Sequence, residues 1–287
     1  MRLPALILLA LLAFLPACRR DPVYSQSSPD ALVASAKAMV AAGRADKLHT
    51  LIYADDIYMK AFMARLGKLL GHTQELALEL KRAFPADIEK FKKDAEQQAL
   101  RAIKNGTPTG PAAFLNQLTS GVRKGSQKER EDSFTDLVRT IFADPYGWLE
   151  ESSGRLSTQS INDDMAALMW DGKGILPPLG VAMRKDGDKW FLLLPLNVPV
   201  ISKFLPKTKE EWSMFASVVK IFDNAIIDLT ADVKLGKVRS FNDVARKAGE
   251  KIVMPGAIAF IAIGKHYEHK FQKERAAKAA APAPSPK

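Results

Sequence analysis

Apolar residues recur with helical spacing at both ends of the chain and with strand spacing in between. Ser28-Pro29-Asp30 reads as a helix start, with a capping hydroxyl, a proline at the first helical position and an acid near the positive end. Leu32, Val33, Ala36, Met39 and Val40 form the apolar face of that helix, and Gly43 stops it. A second short helix follows through Leu48, Leu51 and Ile52. Asp55-Asp56 are expected to cap a third, with Ile57, Phe62, Met63, Leu66 and Leu70 inward and Gly71 as its end. Thr73 then opens another helix, which Pro85 interrupts. The next run, Pro85 to Lys104, is basic and amphipathic, with Ile88, Phe91, Ala95, Ala99 and Ala102 inward and Asn105-Gly106 at its end. Gly106 to Lys128 is rich in Gly, Thr, Ser and Pro and predicts flexible joints around one short helix, Ala112 to Leu118. Glu129 to Phe142 is helical again, on a stripe of Phe134, Leu137, Val138, Ile141 and Phe142, before a turn at Asp144-Pro145-Tyr146-Gly147.

The period then changes to two. Arg155 to Ile161 and Met165 to Trp170 read as strands joined by Asn162-Asp163-Asp164, followed by a turn at Asp171 to Gly174. Gly180 to Lys185 and Lys189 to Leu194 flank Asp186-Gly187, a strong hairpin signal. Both faces of Lys189 to Leu194 are apolar, so helices are expected to cover each side. After a Pro-punctuated segment, Pro195 to Pro206, Thr208-x-x-Glu211 forms a capping box. Its helix carries Trp212, Phe215, Val219, Phe222, Ile226, Leu229 and Val233 at alternating spacings of three and four, up to Gly236. Such a seam is normally buried in its own domain, or it pairs with a partner chain. Ser240-x-x-Asp243 caps a further helix through Val244, Ala248 and Ile252. Pro255-Gly256 is expected to break or kink it before Ala257 to Lys278. Residues 279–287 are Ala/Pro-rich and read as a disordered tail.

The pattern therefore predicts a predominantly helical α+β protein. A curved antiparallel sheet over about 155–195 is packed by N-terminal helices, inside a domain of 28–195 with a helical insertion at about 56–142. A helical region, 196–278, follows. The 287 residues include enough apolar side chains for a real core. The net charge of +10 favours anionic partners such as lipid head groups or envelope polymers. A solubilising surplus of lysine explains it better than a specific patch does, and no nucleic-acid motif is present.

The first eighteen residues change the picture most. Met1-Arg2-Leu3 is a short basic start, and Ala5 to Leu15 is an unbroken apolar run. That run is too short for a spanning helix, which needs about 20 residues. This is an export signal over residues 1–17. Leu15-Pro16-Ala17-Cys18 resembles the lipobox of bacterial lipoproteins, which implies cleavage between Ala17 and Cys18 and acylation of Cys18, the only cysteine in the chain. Three acyl chains exceed what stable anchoring needs. Residues 18–27 would be a lipidated tether. The resemblance also implies that Arg19, in place of a retaining aspartate, sends the protein to the outer membrane, facing the periplasm.

Residues 28–46, from Ser28-Pro29-Asp30-Ala31-Leu32 to Gly43-Arg44-Ala45-Asp46, and the strand pair Val181 to Leu192 around Lys185-Asp186-Gly187-Asp188-Lys189-Trp190 look like the nuclear-transport-factor-two-like superfamily. The resemblance implies a cone of helices on a curved sheet. The acids and histidine that its enzymes place in the cone have no counterpart at matching positions here, so no catalytic residue is carried over.

Candidate chemistry is sparse. His266-x-x-His269 share a helix face, but the spacing is not His-Glu-x-x-His and a third ligand is missing, so no metal is expected. Asp55-Asp56 and Asp163-Asp164 are neighbours in sequence, point apart, and read as cap and turn residues. Asp186-x-Asp188 is a hairpin tip and not a calcium loop. No phosphate loop, dinucleotide fingerprint or nucleophile elbow occurs, and no cofactor is expected. Three functions are open. The first is a non-catalytic, membrane-anchored binding or envelope protein. The second is an enzyme with an apolar cone-type pocket. The third is a membrane-surface protein using Ile252 to Ile263 and the lysines after it, although a core helix suits that stretch better.

Overall fold

A computed structural model describes residues 23–104, 138–147, 149, 154–175, 181–194 and 205–280. The expected signal, Cys18, the joints and short helix of 106–128, Phe134, Leu137, most of the segment 195–206 and the tail from 281 lie outside the described residues. The fold is α+β and dominated by helices. Its order is α1 (Pro29–Ala41), a 3₁₀ helix (Ala45–Leu51), α2 (Ile57–Ala83), α3 (Pro85–Lys104), β1 (Leu156–Asn162), β2 (Met165–Trp170), β3 (Lys173–Gly174), β4 (Ala182–Asp186), β5 (Lys189–Leu193), α4 (Lys209–Lys234) and α5 (Phe241–Ala280). Residues 138–143 are also helical.

The five strands form one antiparallel sheet in the order β1-β2-β4-β5, with the short β3 beside β2. The turn between β2 and β3 is Asp171-Gly172, both at positive φ (51° and 71°), as a two-residue type I′ turn requires. At the second hairpin, Asp186 pairs with Lys189 in the ladder and the turn is Gly187-Asp188, one residue later than the pattern suggested. The outer edge of β5 is not left open. Trp190 N–H donates to Gln26 O at 2.7 Å, Gln26 Nε2 donates back to Trp190 O at 2.8 Å, and Tyr53 N–H donates to Leu192 O at 2.9 Å. Two segments from before the sheet thus satisfy an edge that would otherwise attract another strand. A helix layer was expected on each face of β5. Among the described residues, α1 and the 3₁₀ helix supply one side, and on the other Tyr53 meets Phe191 edge-on at 6.1 Å.

Two expected breaks are absent. Gly71 does not end a helix: α2 runs unbroken from Ile57 to Ala83, and Thr73 sits inside it, its hydroxyl donating to Leu69 O at 2.8 Å. The reason is packing. A Cβ on Gly67 would lie 2.2 Å from His49 Nδ1 and 2.6 Å from Asp46 O, and one on Gly71 would lie 3.0 Å from Asp46 Cβ. These two glycines make a flat bed on α2 where the 3₁₀ helix lies. Pro255 likewise does not break α5, which continues through it to Ala280, past the residue where the tail was expected to begin. Ile57 and Ala95, read as inward, are exposed.

The helix ends follow local chemistry. Ser28 caps α1 by accepting from Ala31 N–H. Gly43 at φ 71° lets the chain reverse, with Gly43 N–H donating to Val40 O and Arg44 N–H to Met39 O, a Schellman motif. The end of α4 at Gly236 repeats it.

Three cores result among the described residues. One joins α2, α3, residues 138–143, α4 and α5 around Leu76, Leu80, Phe142, Leu229, Phe241 and Val244. The heptad seam of α4 is spent here: Ile226, Leu229 and Val233 are buried in the chain's own core. The helices expected as an insertion and those expected as a C-terminal region therefore share one interior. Helices α2 and α4 run parallel, tied at Phe62–Trp212 and His72–Asp223, and α5 returns antiparallel, tied at Lys247–Asp232 and Lys251–Asp228. A second joins the sheet to α1 and the 3₁₀ helix, and a third, smaller one gathers Val40 and Ala45 with Tyr146 and Leu149. Gln74 on α2 ties into the third, accepting from Ala45 N–H at 2.9 Å and donating to Val40 O at 2.8 Å.

In an exposed helix, Gly→Ala gains about 1 kcal/mol from propensity. Gly67→Ala is expected to do the reverse and lose about 1–3 kcal/mol by overpacking, with Gly71→Ala losing less. The midpoints of urea denaturation check the order.

Candidate functional site

The face of the sheet beneath α1 is filled by side chains. Ala166, Met183 and Trp190 are buried against Leu32, Met39 and Leu51, with Tyr24, Val33, Ala36, Leu48, Leu168 and Leu192 packed around them. The acids singled out from sequence do structural work. Asp56 caps α2, accepting from Tyr58 and Met59 N–H at 2.7 Å each. Asp163 and Asp164 form the β1–β2 turn, and Asp164 N–H donates to Asn162 Oδ1. His269 is exposed on α5 while His266 turns toward α4, so the pair does not converge. Among the described residues, no group of three His, Cys, Asp or Glu side chains is placed to hold a metal ion.

Glu211 is the most constrained charge. Its side chain is 2% exposed. Oε1 accepts from Lys270 Nζ at 2.6 Å and lies 3.4 Å from His266 Nε2, while Oε2 accepts from the N–H groups of Lys207 at 2.7 Å and Thr208 at 3.3 Å. Burial alone would raise the pKa of this carboxyl. The hydrogen bonds from Lys270, Lys207 N–H and His266 outweigh burial and hold it down at about 2. Next to it, burial and the Glu211 charge push the Tyr267 phenol up to about 12. A carboxylate whose acceptor positions are all engaged is an ionic clasp, not a proton-transfer group. It fastens the start of α4 to the last turns of α5. The capping box was legible in sequence; His266 and Lys270, 55 and 59 residues away, were not.

Compared with known proteins, the chain matches no family model, no curated protein and no solved structure.

Three surface features remain as candidates. A cleft of about 290 Å³ lies between the N-terminal segment, the 3₁₀ helix and the start of β5, bounded by Tyr24, Arg44, Lys47 and Lys189 above Met39. A second, of about 210 Å³, lies where α2 and α4 begin and β5 ends, lined by Asp55, Met59, Phe62, Leu194, Trp212 and Phe215. The third is on α5. The stretch read as better suited to a core helix is instead largely at the surface: Ile258 is 64% exposed, and Phe260 and Ile261 are each 59% exposed. The helix buries Ile252 and Tyr267 on one side and presents these three outward. No helix among the described residues is long and apolar enough to cross a membrane.

The sign of the Glu211 effect follows from its lowered pKa. Stability from the clasp is fully present above the unfolded value near 4.5 and is lost as pH falls through the folded value of about 2. Glu211→Gln is therefore expected to cost about 1–3 kcal/mol at neutral pH and to flatten the loss of stability between pH 4.5 and 2, read from denaturation midpoints across that range.

Proposed function

We propose that this protein is an exported bacterial lipoprotein, held on the envelope membrane through acylated Cys18, whose body binds or supports and does not catalyse. The observation that carries this reading is the order of the first eighteen residues: basic start, short apolar run, Leu15-Pro16-Ala17, then the single cysteine. A thiol in an oxidising compartment with no second cysteine to pair with is accounted for by a thioether to lipid. The filled sheet face supports the non-catalytic half of the reading, because a cone-type pocket would need room where Met39, Met183 and Trp190 pack. The order of a helix laid on an antiparallel sheet also fits kinship with the nuclear-transport-factor-two-like superfamily, and Arg19 favours the outer membrane.

A second reading, contact of the body with the membrane surface, is favoured by the outward Ile258, Phe260 and Ile261, followed by Lys265, Lys273 and Arg275. An apolar face beside basic residues is the pattern of interfacial helices.

Two measurements address these readings. Intact mass of the protein from native membranes is expected to show a chain beginning at Cys18 with diacylglyceryl and N-acyl groups added, and Cys18→Ser is expected to accumulate as a precursor that takes up no labelled palmitate. A free thiol at residue 18 would remove the anchor. With Cys18 acylated, Phe260→Cys provides one reactive thiol for a polarity-sensitive fluorophore. Its emission is expected to shift to the blue in vesicles containing phosphatidylglycerol, relative to the same label placed at Lys220. Water-like emission at both positions would sink the second reading.

A further inference from the structure

The cleft beside the 3₁₀ helix owes its basic character to the type of helix that builds it. At three residues per turn, positions i, i+3 and i+6 stand above one another. Arg44, at the helix start, is therefore followed on the same side by Lys47 and Thr50. The row is held from within: Lys47 N–H donates to Arg44 O at 2.9 Å, and the Thr50 hydroxyl donates to Lys47 O at 2.7 Å. Across the cleft stands Lys189, the first residue of β5, whose neighbour Trp190 is pinned to Gln26. Tyr24 closes the third side.

These groups are only partly used by the fold. Arg44 gives its Nε to Asp46 Oδ1 at 3.1 Å. Lys47 and Lys189 have no ion-pair partner among the described residues. The Tyr24 hydroxyl is buried and has no hydrogen-bond partner among the described residues. Lys47 and Lys189, set across the cleft from one another beside Arg44 and unpaired among the described residues, make a site for an anion. Donors reach the cleft from two different elements. A tetrahedral oxyanion offers acceptors in several directions and can carry two charges, whereas a planar carboxylate offers a single edge.

We propose that this cleft binds a phosphate-bearing anion, supplied either by the head group of an anionic lipid or as a free phosphate. The lipid source rests on the acylated Cys18 proposed above: the chain from Cys18 to Tyr24, even fully extended, spans no more than about 20 Å, which keeps the cleft near the head groups. The free source does not depend on the anchor.

The test is calorimetric titration of the acylated full chain in neutral detergent, with inorganic phosphate in one arm and short-chain phosphatidylglycerol in the other. Saturable binding is expected in at least one arm and is expected to weaken as salt is raised. Lys47→Met and Lys189→Met are each expected to raise the Kd about tenfold, while the exposed Lys220→Met on α4 leaves it unchanged. Lys189 is exposed and Lys47 half-buried, and thermal melts unchanged from the parent check that these variants fold. Binding confined to phosphatidylglycerol assigns the lipid head group; binding of phosphate as well assigns the free anion. Absence of binding in both arms, or binding that survives the Lys47→Met/Lys189→Met double variant, overturns the proposal. Should Cys18 prove unacylated by mass, the phosphate arm still decides the cleft on its own.

Discussion

The contact on which the rest of the molecule depends is the one between the 3₁₀ helix and the Gly67/Gly71 face of α2. Two helices ordinarily pack at 8–10 Å because side chains separate them. Here the missing Cβ atoms let the backbone of Asp46 lie directly on α2. Gln74, one turn further on, satisfies the carbonyl of Val40 and the amide of Ala45 where α1 ends and the 3₁₀ helix begins. That seat fixes the corner between α1 and the 3₁₀ helix. The corner in turn sets where α1 crosses the sheet, where Tyr53 meets the edge of β5, and which way Arg44 and Lys47 face. Tyr146 reinforces it, donating its hydroxyl to Leu70 O at 2.7 Å beside Val40 and Ala45.

The second organising interaction is electrostatic. A buried carboxylate is tolerable only when its charge is met on every side. Glu211 meets that condition with two backbone amides from its own helix start and with the Lys270 ammonium of a distant helix. The same side chain therefore caps α4 and fastens α5 to it. The clasp and the Lys251–Asp228 tie hold α5 at two points, and between them Ile258, Phe260 and Ile261 stay in contact with solvent.

The interior beneath α1 is packed, Asp56 caps a helix and Glu211 clasps two, while a basic cleft and an apolar helix face lie at the surface. On the reading proposed above, these are the surfaces that an envelope protein tethered to a membrane would turn to charged head groups and to the apolar boundary beneath them.

Much of the framework was legible in residue order alone. Ser28, the Thr208–Glu211 box, Gly43, Gly236 and the Lys189–Trp190 strand act through neighbours within a few positions, so local chemistry determined them. The helical period likewise identified the face of α4 that is buried. What local reading could not reach were residues whose meaning depends on a partner far along the chain. Gly71 carries the signature of a helix end, but contact with Asp46 makes it a packing surface inside a helix. Ile258, Phe260 and Ile261 have the composition of a core, but they lie on a face of α5 that is left exposed. Arg44, Lys47 and Lys189 are ordinary surface cations until a three-residue turn stacks two of them and the edge of the sheet brings the third opposite. Periodicity is a property of one segment, and it determined the elements; burial and convergence belong to pairs of segments, and only the tertiary structure decided those.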